Sequence, residues 1–233
     1  MSSSSYTVKH LHTGKTFERP AILINEHANK AQASAEPEDH QATQAFHKTL
    51  PDYAKTPLHS LPTIASELGF AHVFVKDEST RFGLPSFKIL GASWAIHQAL
   101  CQHLNLSPHS TLQELQVGLK GRGDGVRLVT CTDGNWGRAV ARMAKYIGIT
   151  AKIYVPGFMP EYTRNLLRGE GADVRPLEEG SYDDAIATVR HDAKTSGALM
   201  VMDTSWEGYH EIPNVSPAFS LVFAFVKTAR PTC

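Results

Sequence analysis

The sequence lacks the features that mark several protein classes. Its three cysteines, Cys101, Cys131 and Cys233, form no CxxC pair, which argues against a disulfide framework or a zinc ribbon. Its 12 histidines show no HExxH or comparable spacing, so we predict no metal site. Lysine plus arginine and aspartate plus glutamate both number 23, so no net charge draws the chain to nucleic acid or to an anionic membrane.

Targeting signals are also scarce. The first 20 residues contain no basic segment followed by an apolar one, so we predict no secretory signal. The apolar stretch AFSLVFAFVK near the C-terminus is about half of the roughly 20 residues that span a bilayer. We therefore expect a cytoplasmic protein that takes small molecules as partners, with no nucleic acid and no membrane.

Beyond a polar first segment, the chain shows a regular alternation of strand and helix patterns. Residues 1–50 are polar with weak periodicity, and we expect them to be partly irregular. Short apolar stretches then predict strands at 72–76, 126–132, 151–156, 172–177 and 198–203, separated by helical patterns. Strands and helices that alternate in this way form parallel βαβ units. The sequence therefore predicts an α/β fold, an open parallel sheet with flanking helices.

Capping residues predict where several helices begin and end. Ser60 and Gly69 bound a first helix, and Ser86 precedes a buried helix from Phe87 to Leu104. The later helices are expected to run from Gly137 to Ile147 with Gly148 at the end, to begin at Pro160, and to begin at Ser181 with Asp184 as a capping box and Gly197 at the end.

Polar residues follow several of the predicted strands, where ligands of open α/β sheets bind. The loop KDESTRFGLPSFK carries Lys88, TCTDGNWGRA carries Asp133 and Asn135, and MDTSWEGYHE carries Asp203. Taken singly, each has an ordinary structural explanation: a lysine that extends to solvent, an aspartate in a turn, or an aspartate that caps one. Cys131 lies within a predicted strand, where it is expected to be a small core residue.

The setting of Lys88 suggests covalent chemistry. It stands between Phe87 and Ile89 at the start of a predicted helix, where burial and the positive helix end are expected to lower the pKa of its amine. A neutral amine can form a Schiff base, and pyridoxal phosphate is the carbonyl partner that makes such a lysine most useful.

Three motifs in this order resemble those of the diaminopropionate ammonia-lyases, pyridoxal-phosphate enzymes of the tryptophan-synthase-β (fold type II) superfamily. They are KDESTRFGLPSFKILGA, TDGNWGRAVA and DTSWEGYHEIP, and the resemblance runs from about residue 45 to Pro213. It implies elimination of ammonia from 2,3-diaminopropionate to give pyruvate and a second ammonia, with pyridoxal 5'-phosphate as cofactor. It also implies that a complete family member is a homodimer.

The resemblance also implies roles for individual residues. Lys88 matches the Schiff-base lysine, and Asn135 matches the asparagine that hydrogen-bonds the hydroxyl on the cofactor ring. Asp133 and Asp203 match the two aspartates that take the α-proton from opposite stereoisomers of the substrate. Phe87 and Gly134 adjoin these residues and complete the predicted cofactor site. The family usually has histidine after the asparagine, whereas this chain has Trp136.

The resemblance further implies a domain arrangement in which a small domain is inserted into a large one. Residues 1–90 would be the N-terminal part of the large domain, 91–207 the small α/β domain, and 208–233 a divergent tail. The resemblance ends near Asn214, and no glycine follows Gly208, although the family's phosphate-binding loop lies downstream of WEGY. We therefore expect a truncated chain with an incomplete large domain, weak cofactor binding and little turnover.

Two other functions compete with this interpretation. The first is a related dehydratase that acts on serine or threonine, which the paired Asp133 and Asp203 argue against. The second is a non-catalytic chain that regulates or binds another protein. A substrate panel separates the first from the ammonia-lyase, and cofactor binding separates the second.

Overall fold

The computed structural model describes residues 5–9, 13–20, 37–120, 125–210 and 212. The chain divides into two compact units, Met1–Ala35 and Glu36–Cys233. In the first unit, antiparallel strands β1 (Ser5–Lys9) and β2 (Thr16–Pro20) form a two-stranded ribbon. The sequence does not predict this ribbon. Its described side chains are exposed, so no buried face imposes a hydrophobic alternation.

The second unit begins with short elements that lie outside the parallel sheet. They are α1 (Pro37–Thr49), β3 (Leu58–Ser60), α2 (Pro62–Leu68) and β4 (Phe74–Lys76). Strands β3 and β4 pair antiparallel, so the strand predicted at 72–76 is not part of a parallel βαβ unit. Ser60 ends β3, and Leu61 takes the N-cap position of α2, so the prediction of Ser60 as a cap is wrong.

The remaining elements follow the predicted alternation. Helices α3 (Lys88–Leu104) and α4 (Leu112–Lys120) lead into the sheet, while residues 121–124 lie outside the described chain. The succession is then β5 (Arg127–Cys131), α5 (Asn135–Ile147), β6 (Thr150–Pro156), α6 (Glu161–Gly169), β7 (Asp173–Leu177), α7 (Tyr182–Ser196) and β8 (Leu199–Met200).

The four last strands form one parallel sheet in the order β7-β6-β5-β8. Strand β5 pairs with β6 from Arg127 opposite Thr150 to Cys131 opposite Tyr154, and with β8 at two residue pairs. The outer strand β7 contains Pro176, which lies opposite Val155 of β6. The predicted α/β class with a parallel sheet and flanking helices is confirmed. The division at residues 90 and 207 stays a prediction.

Local capping chemistry ends the helices largely as predicted. The Ser181 hydroxyl accepts a hydrogen bond from the Asp184 backbone N–H, and the Asp184 carboxylate accepts one from the Ser181 backbone N–H. Gly148 and Gly197 end α5 and α7 with φ of 85° and 69°, in the left-handed region where glycine is unstrained. The predictions for residues 213–233 lie outside the described chain.

Helix α3 lies at the centre of the core, as its apolar sequence predicts. Its side chains are buried against α5, and the core extends to the sheet through Leu128 and Ile153. The fully buried α3 residues include Ile89, Ala92, Ala95, Ile96 and Leu100. No helix in the described part of the chain is long and apolar enough to cross a membrane.

A buried histidine connects α1 to the start of α3. His47 Nε2 lies 3.0 Å from the Leu90 carbonyl oxygen, so a neutral imidazole donates its N–H to that carbonyl. Burial lowers the pKa of His47 to about 4. The imidazole is therefore uncharged in the folded protein near neutral pH.

This pKa predicts a loss of stability in mild acid. Because the folded state holds the pKa of His47 near 4 while its ordinary value is 6.5, protonation favours the unfolded chain. The free energy of unfolding should fall as the pH is lowered from 6.5 to about 4, by about 3 kcal/mol from this group. In urea titrations at several pH values, His47→Gln should reduce that slope by the share of this group. His103→Gln, at an exposed site on α3, should retain it.

Candidate active site

Lys88 is the first residue of α3, and its amine forms an ion pair. Phe87 takes the N-cap position and the helix begins one residue later than predicted, so the prediction of Ser86 as its cap is wrong. The Ser86 hydroxyl accepts a hydrogen bond from the Lys88 backbone N–H at 3.2 Å. Lys88 Nζ donates to Asp203 Oδ2 at 2.7 Å. The Lys88 side chain is 33% exposed and that of Asp203 is 13% exposed. The amine thus lies beside a carboxylate, and not among apolar groups as expected, because no preceding helical turn covers it.

Both predicted aspartates follow neighbouring parallel strands. Asp133 comes after β5, and Asp203 comes after β8, which is only two residues long. The Val201 N–H donates to the Val129 carbonyl at 3.0 Å, which keeps these two segments side by side beyond the end of β8. The C-terminal ends of neighbouring parallel strands lie at the same end of the sheet. Asp133 and Asp203 therefore lie at the end of the sheet where Lys88 is held.

The Thr132 hydroxyl organises the turn between β5 and α5. It accepts hydrogen bonds from the backbone N–H groups of Gly134 at 3.0 Å and Gly137 at 3.1 Å. A Cβ at Gly137 would lie 2.3 Å from Thr132 Cγ2, so only glycine allows this approach. The helix begins at Asn135, two residues before the predicted start at Gly137, because Thr132 caps its first turn from outside. Asn135 is exposed at this start.

Trp136 fixes the start of α5 against the strand ends. It is buried, and its indole N–H donates to the Thr130 hydroxyl at 3.2 Å and to the Val201 carbonyl at 3.3 Å. The residue that departs from the family pattern therefore uses its polar group inside the protein. It ties Asn135 to the segment that leads to Asp203.

Two further residues adjoin the aspartates. Burial raises the pKa of the Cys131 thiol to about 12, which fits the predicted core residue in β5. Burial and surrounding charges, including those of Asp203 and Asp133, raise the pKa of Tyr182. The sequence does not single out Tyr182, because only the tertiary fold brings the start of α7 to these strand ends.

The structure thus brings most of the predicted site residues to one place. Lys88 and Asp203 are in direct contact, and Asp133, Gly134 and Asn135 lie on the adjoining strand-end turn. Phe87 directly precedes α3 and is half-buried. The arrangement joins an accessible amine, two carboxylates and an exposed amide.

Comparison with known proteins shows the family. Residues 49–214 match the family model described as pyridoxal-phosphate dependent enzyme. The diaminopropionate ammonia-lyase of Salmonella typhimurium is 39% identical over 171 residues, which cover 72% of this chain and 42% of that protein. A more distant relative, the biosynthetic L-threonine dehydratase of Corynebacterium glutamicum, is 27% identical over 64% of this chain and 29% of its own length.

A solved structure extends the comparison to the fold. The crystal structure of Escherichia coli diaminopropionate ammonia-lyase in its apo form superposes with a TM-score of 0.72 and 32% identity. The match covers 83% of this chain and 53% of that chain. The chain therefore spans about half the length of these diaminopropionate ammonia-lyases, and its fold agrees with the expected fold type II. On these findings, the chain belongs to the family of pyridoxal-phosphate dependent enzymes.

Proposed function

We propose that the protein is a diaminopropionate ammonia-lyase. With water, 2,3-diaminopropionate would yield one pyruvate and two ammonia molecules. The observation that carries the proposal is the 2.7 Å contact between the Lys88 amine and the Asp203 carboxylate, at the end of the sheet that also holds Asp133 and Asn135. The 39% identical relative of the same name supports the substrate.

The residues at this end of the sheet fit the reactive part of pyridoxal 5'-phosphate. The Lys88 amine is accessible enough to bond to its carbonyl carbon, and the exposed Asn135 amide can hydrogen-bond its ring hydroxyl. Gly134 has no side chain to obstruct a ring near this turn, and Phe87 lies beside the lysine. When bound, the cofactor supplies an electron-withdrawing ring that makes the substrate α-proton acidic.

The aspartates would move that proton. The Asp203 carboxylate lies 2.7 Å from Lys88 Nζ, so with the cofactor held there it would be within reach of the α-carbon of a substrate whose amine took the place of Nζ. Asp203 would accept the α-proton of one stereoisomer. Asp133, on the neighbouring strand end, would accept that of the other. The Lys88 amine, once released, can hold the proton that the departing ammonia requires.

The wider setting is also part of the proposal. Cys101 and Cys131 are free and buried, which fits a reducing cytoplasm. We place the enzyme there, in the breakdown of a small amino acid, and we propose a homodimer for the complete enzyme. Neither nucleic acid nor a membrane has a role in this scheme.

A substrate panel tests the proposal. The purified chain is incubated with pyridoxal phosphate and then with D- or L-2,3-diaminopropionate, serine or threonine, while ammonia and 2-oxo acids are measured. We expect 2,3-diaminopropionate to be converted at least about tenfold more efficiently than the hydroxy amino acids, because its leaving group differs. Faster conversion of serine or threonine would favour a dehydratase. A chain that binds no cofactor would favour the non-catalytic alternative.

A further inference from the structure

The loop before Lys88 contains a residue in an unusual conformation. Phe82 lies in a short 3-10 helix (Arg81–Gly83) and has φ 50° and ψ 29°, in the left-handed region that bulky residues rarely adopt. Its ring is fully buried and meets the Tyr53 ring edge-on, with centroids 6.0 Å apart. A strained residue keeps such a conformation only where its surroundings hold it.

An arginine of α5 holds the backbone at this residue. Arg142 Nη1 donates to the Phe82 carbonyl oxygen at 2.6 Å. The same guanidinium donates to Glu170 through Nε at 2.5 Å and through Nη2 at 3.0 Å. The Arg142 side chain is 15% exposed and that of Glu170 is 8% exposed, so water screens this pair weakly.

Glu170 sets the direction of the guanidinium. Burial opposes its ionisation, but the guanidinium groups of Arg142 and Arg138 hold the pKa of Glu170 below its usual value. The carboxylate therefore stays charged near neutral pH and binds two donors on one side of Arg142. Because the guanidinium is planar and rigid, holding Nε and Nη2 on Glu170 also fixes the direction of Nη1, which faces the Phe82 carbonyl.

We propose that Arg142 is a positioning residue for Lys88. Helix α5 carries Asn135 at its start and Arg142 about two turns later, so one rigid element contacts both the turn beside the site and the loop that delivers the lysine. Lys88 follows Phe82 by six positions. The intervening segment is held by hydrogen bonds from Leu84 N to Arg81 O and from Ser86 N to Leu84 O, both 2.8 Å long.

The consequence for function rests on the proposed cofactor chemistry at Lys88. By holding Phe82 against α5, Arg142 fixes where α3 begins relative to the Asn135 turn. Without it, Phe82 can relax to an ordinary conformation, and the lysine would sample a wider range of positions. The covalent bond between Lys88 and the cofactor would then form more slowly, although the core around α3 and α5 is unchanged.

Matched variants on one helix test this inference. Arg142→Gln removes the donor to Phe82, whereas Arg138→Gln removes another guanidinium that contacts Glu170, at 3.3 Å, without a hydrogen bond to Phe82. Within residues 83–88, hydrogen–deuterium exchange is measured at every backbone amide except that of Pro85, which has no N–H. The rate at which pyridoxal phosphate, trapped with borohydride, labels Lys88 is measured in parallel, and the thermal midpoint monitors global stability.

We expect Arg142→Gln to speed exchange at residues 83–88 by about tenfold and to slow the labelling of Lys88 by a similar factor. Arg138→Gln should match the wild type in both, and Arg142→Lys should be intermediate, because an ammonium lacks the planar fork. If Arg142→Gln does not fold, Glu170→Gln should produce the same changes to a smaller extent.

Two results would overturn the inference. One is wild-type exchange at residues 83–88 in Arg142→Gln. The other is faster exchange spread evenly over α5 and the sheet, which would mean that Arg142 only supports global stability. A wild-type chain whose Lys88 takes no label would contradict the proposed function instead, and the exchange measurement would still decide the role of Arg142.

Discussion

Replacing Lys88 by alanine is expected to abolish covalent attachment of pyridoxal phosphate to the chain. The Lys88 amine is accessible, starts α3, and lies 2.7 Å from Asp203 at the proposed site. Alanine has no amine, so borohydride reduction should trap no adduct at this position, and turnover should be lost with it. Peptide mapping of the reduced protein measures the result.

The matched control for this prediction is Lys145→Ala. Lys145 is exposed in the last turn of α5, so its removal should leave the Lys88 adduct at the wild-type level. Thermal unfolding of Lys145→Ala should match the wild type, because this lysine is exposed. An adduct of wild-type yield in Lys88→Ala, on any other lysine, would show that Lys88 is not the attachment site.

Replacing Asp203 by asparagine is expected to slow proton removal from one stereoisomer of the substrate by about 10² to 10⁴. The asparagine has nearly the same shape but no basic oxygen. The measurement is exchange of the Cα hydrogen of D- or L-2,3-diaminopropionate with D₂O in the presence of cofactor. This exchange needs only the base and the cofactor, so it reports on Asp203 before ammonia leaves.

The complementary variant is Asp133→Asn, which should slow exchange of the opposite stereoisomer by a similar factor. Asp173→Asn, at an exposed position in β7, should leave both isomers unaffected. Labelling of Lys88 should persist in all three variants, which shows that the cofactor still binds. Equal losses for both isomers in Asp203→Asn would contradict a division of labour between the two aspartates.

The parts of the fold that follow local rules could be predicted from the sequence. The capping box of Ser181 and Asp184 and the glycine at 197 bound α7 as expected, because these signals act within one helical turn. The parallel sheet follows from the alternation of short apolar stretches with helices. Ser60 shows the limit of such signals, because it is the last residue of strand β3 and does not cap a helix.

Contacts between distant residues account for what could not be predicted. The family resemblance identifies Lys88, but its ion pair with Asp203 joins residues 115 positions apart. The hydrogen bond from Arg142 to the Phe82 carbonyl joins residues 60 positions apart. The left-handed backbone conformation of Phe82 has no signal in the sequence. Helix α5 begins two residues early because the Thr132 hydroxyl accepts a hydrogen bond from Gly137 at close approach. The helix propensities of the residues do not reveal this contact.

The edge strand β7 bears on how molecules of this protein can associate. Pro176 has no N–H to offer a further strand, and the exposed charges of Asp173 and Arg175 oppose close approach of another strand. Addition of strands along this edge, one route to continuous intermolecular sheets, is thus disfavoured by the sequence of β7 itself. The exposed Phe74 and Val75 of β4 offer an apolar side-chain surface in the described part of the chain instead.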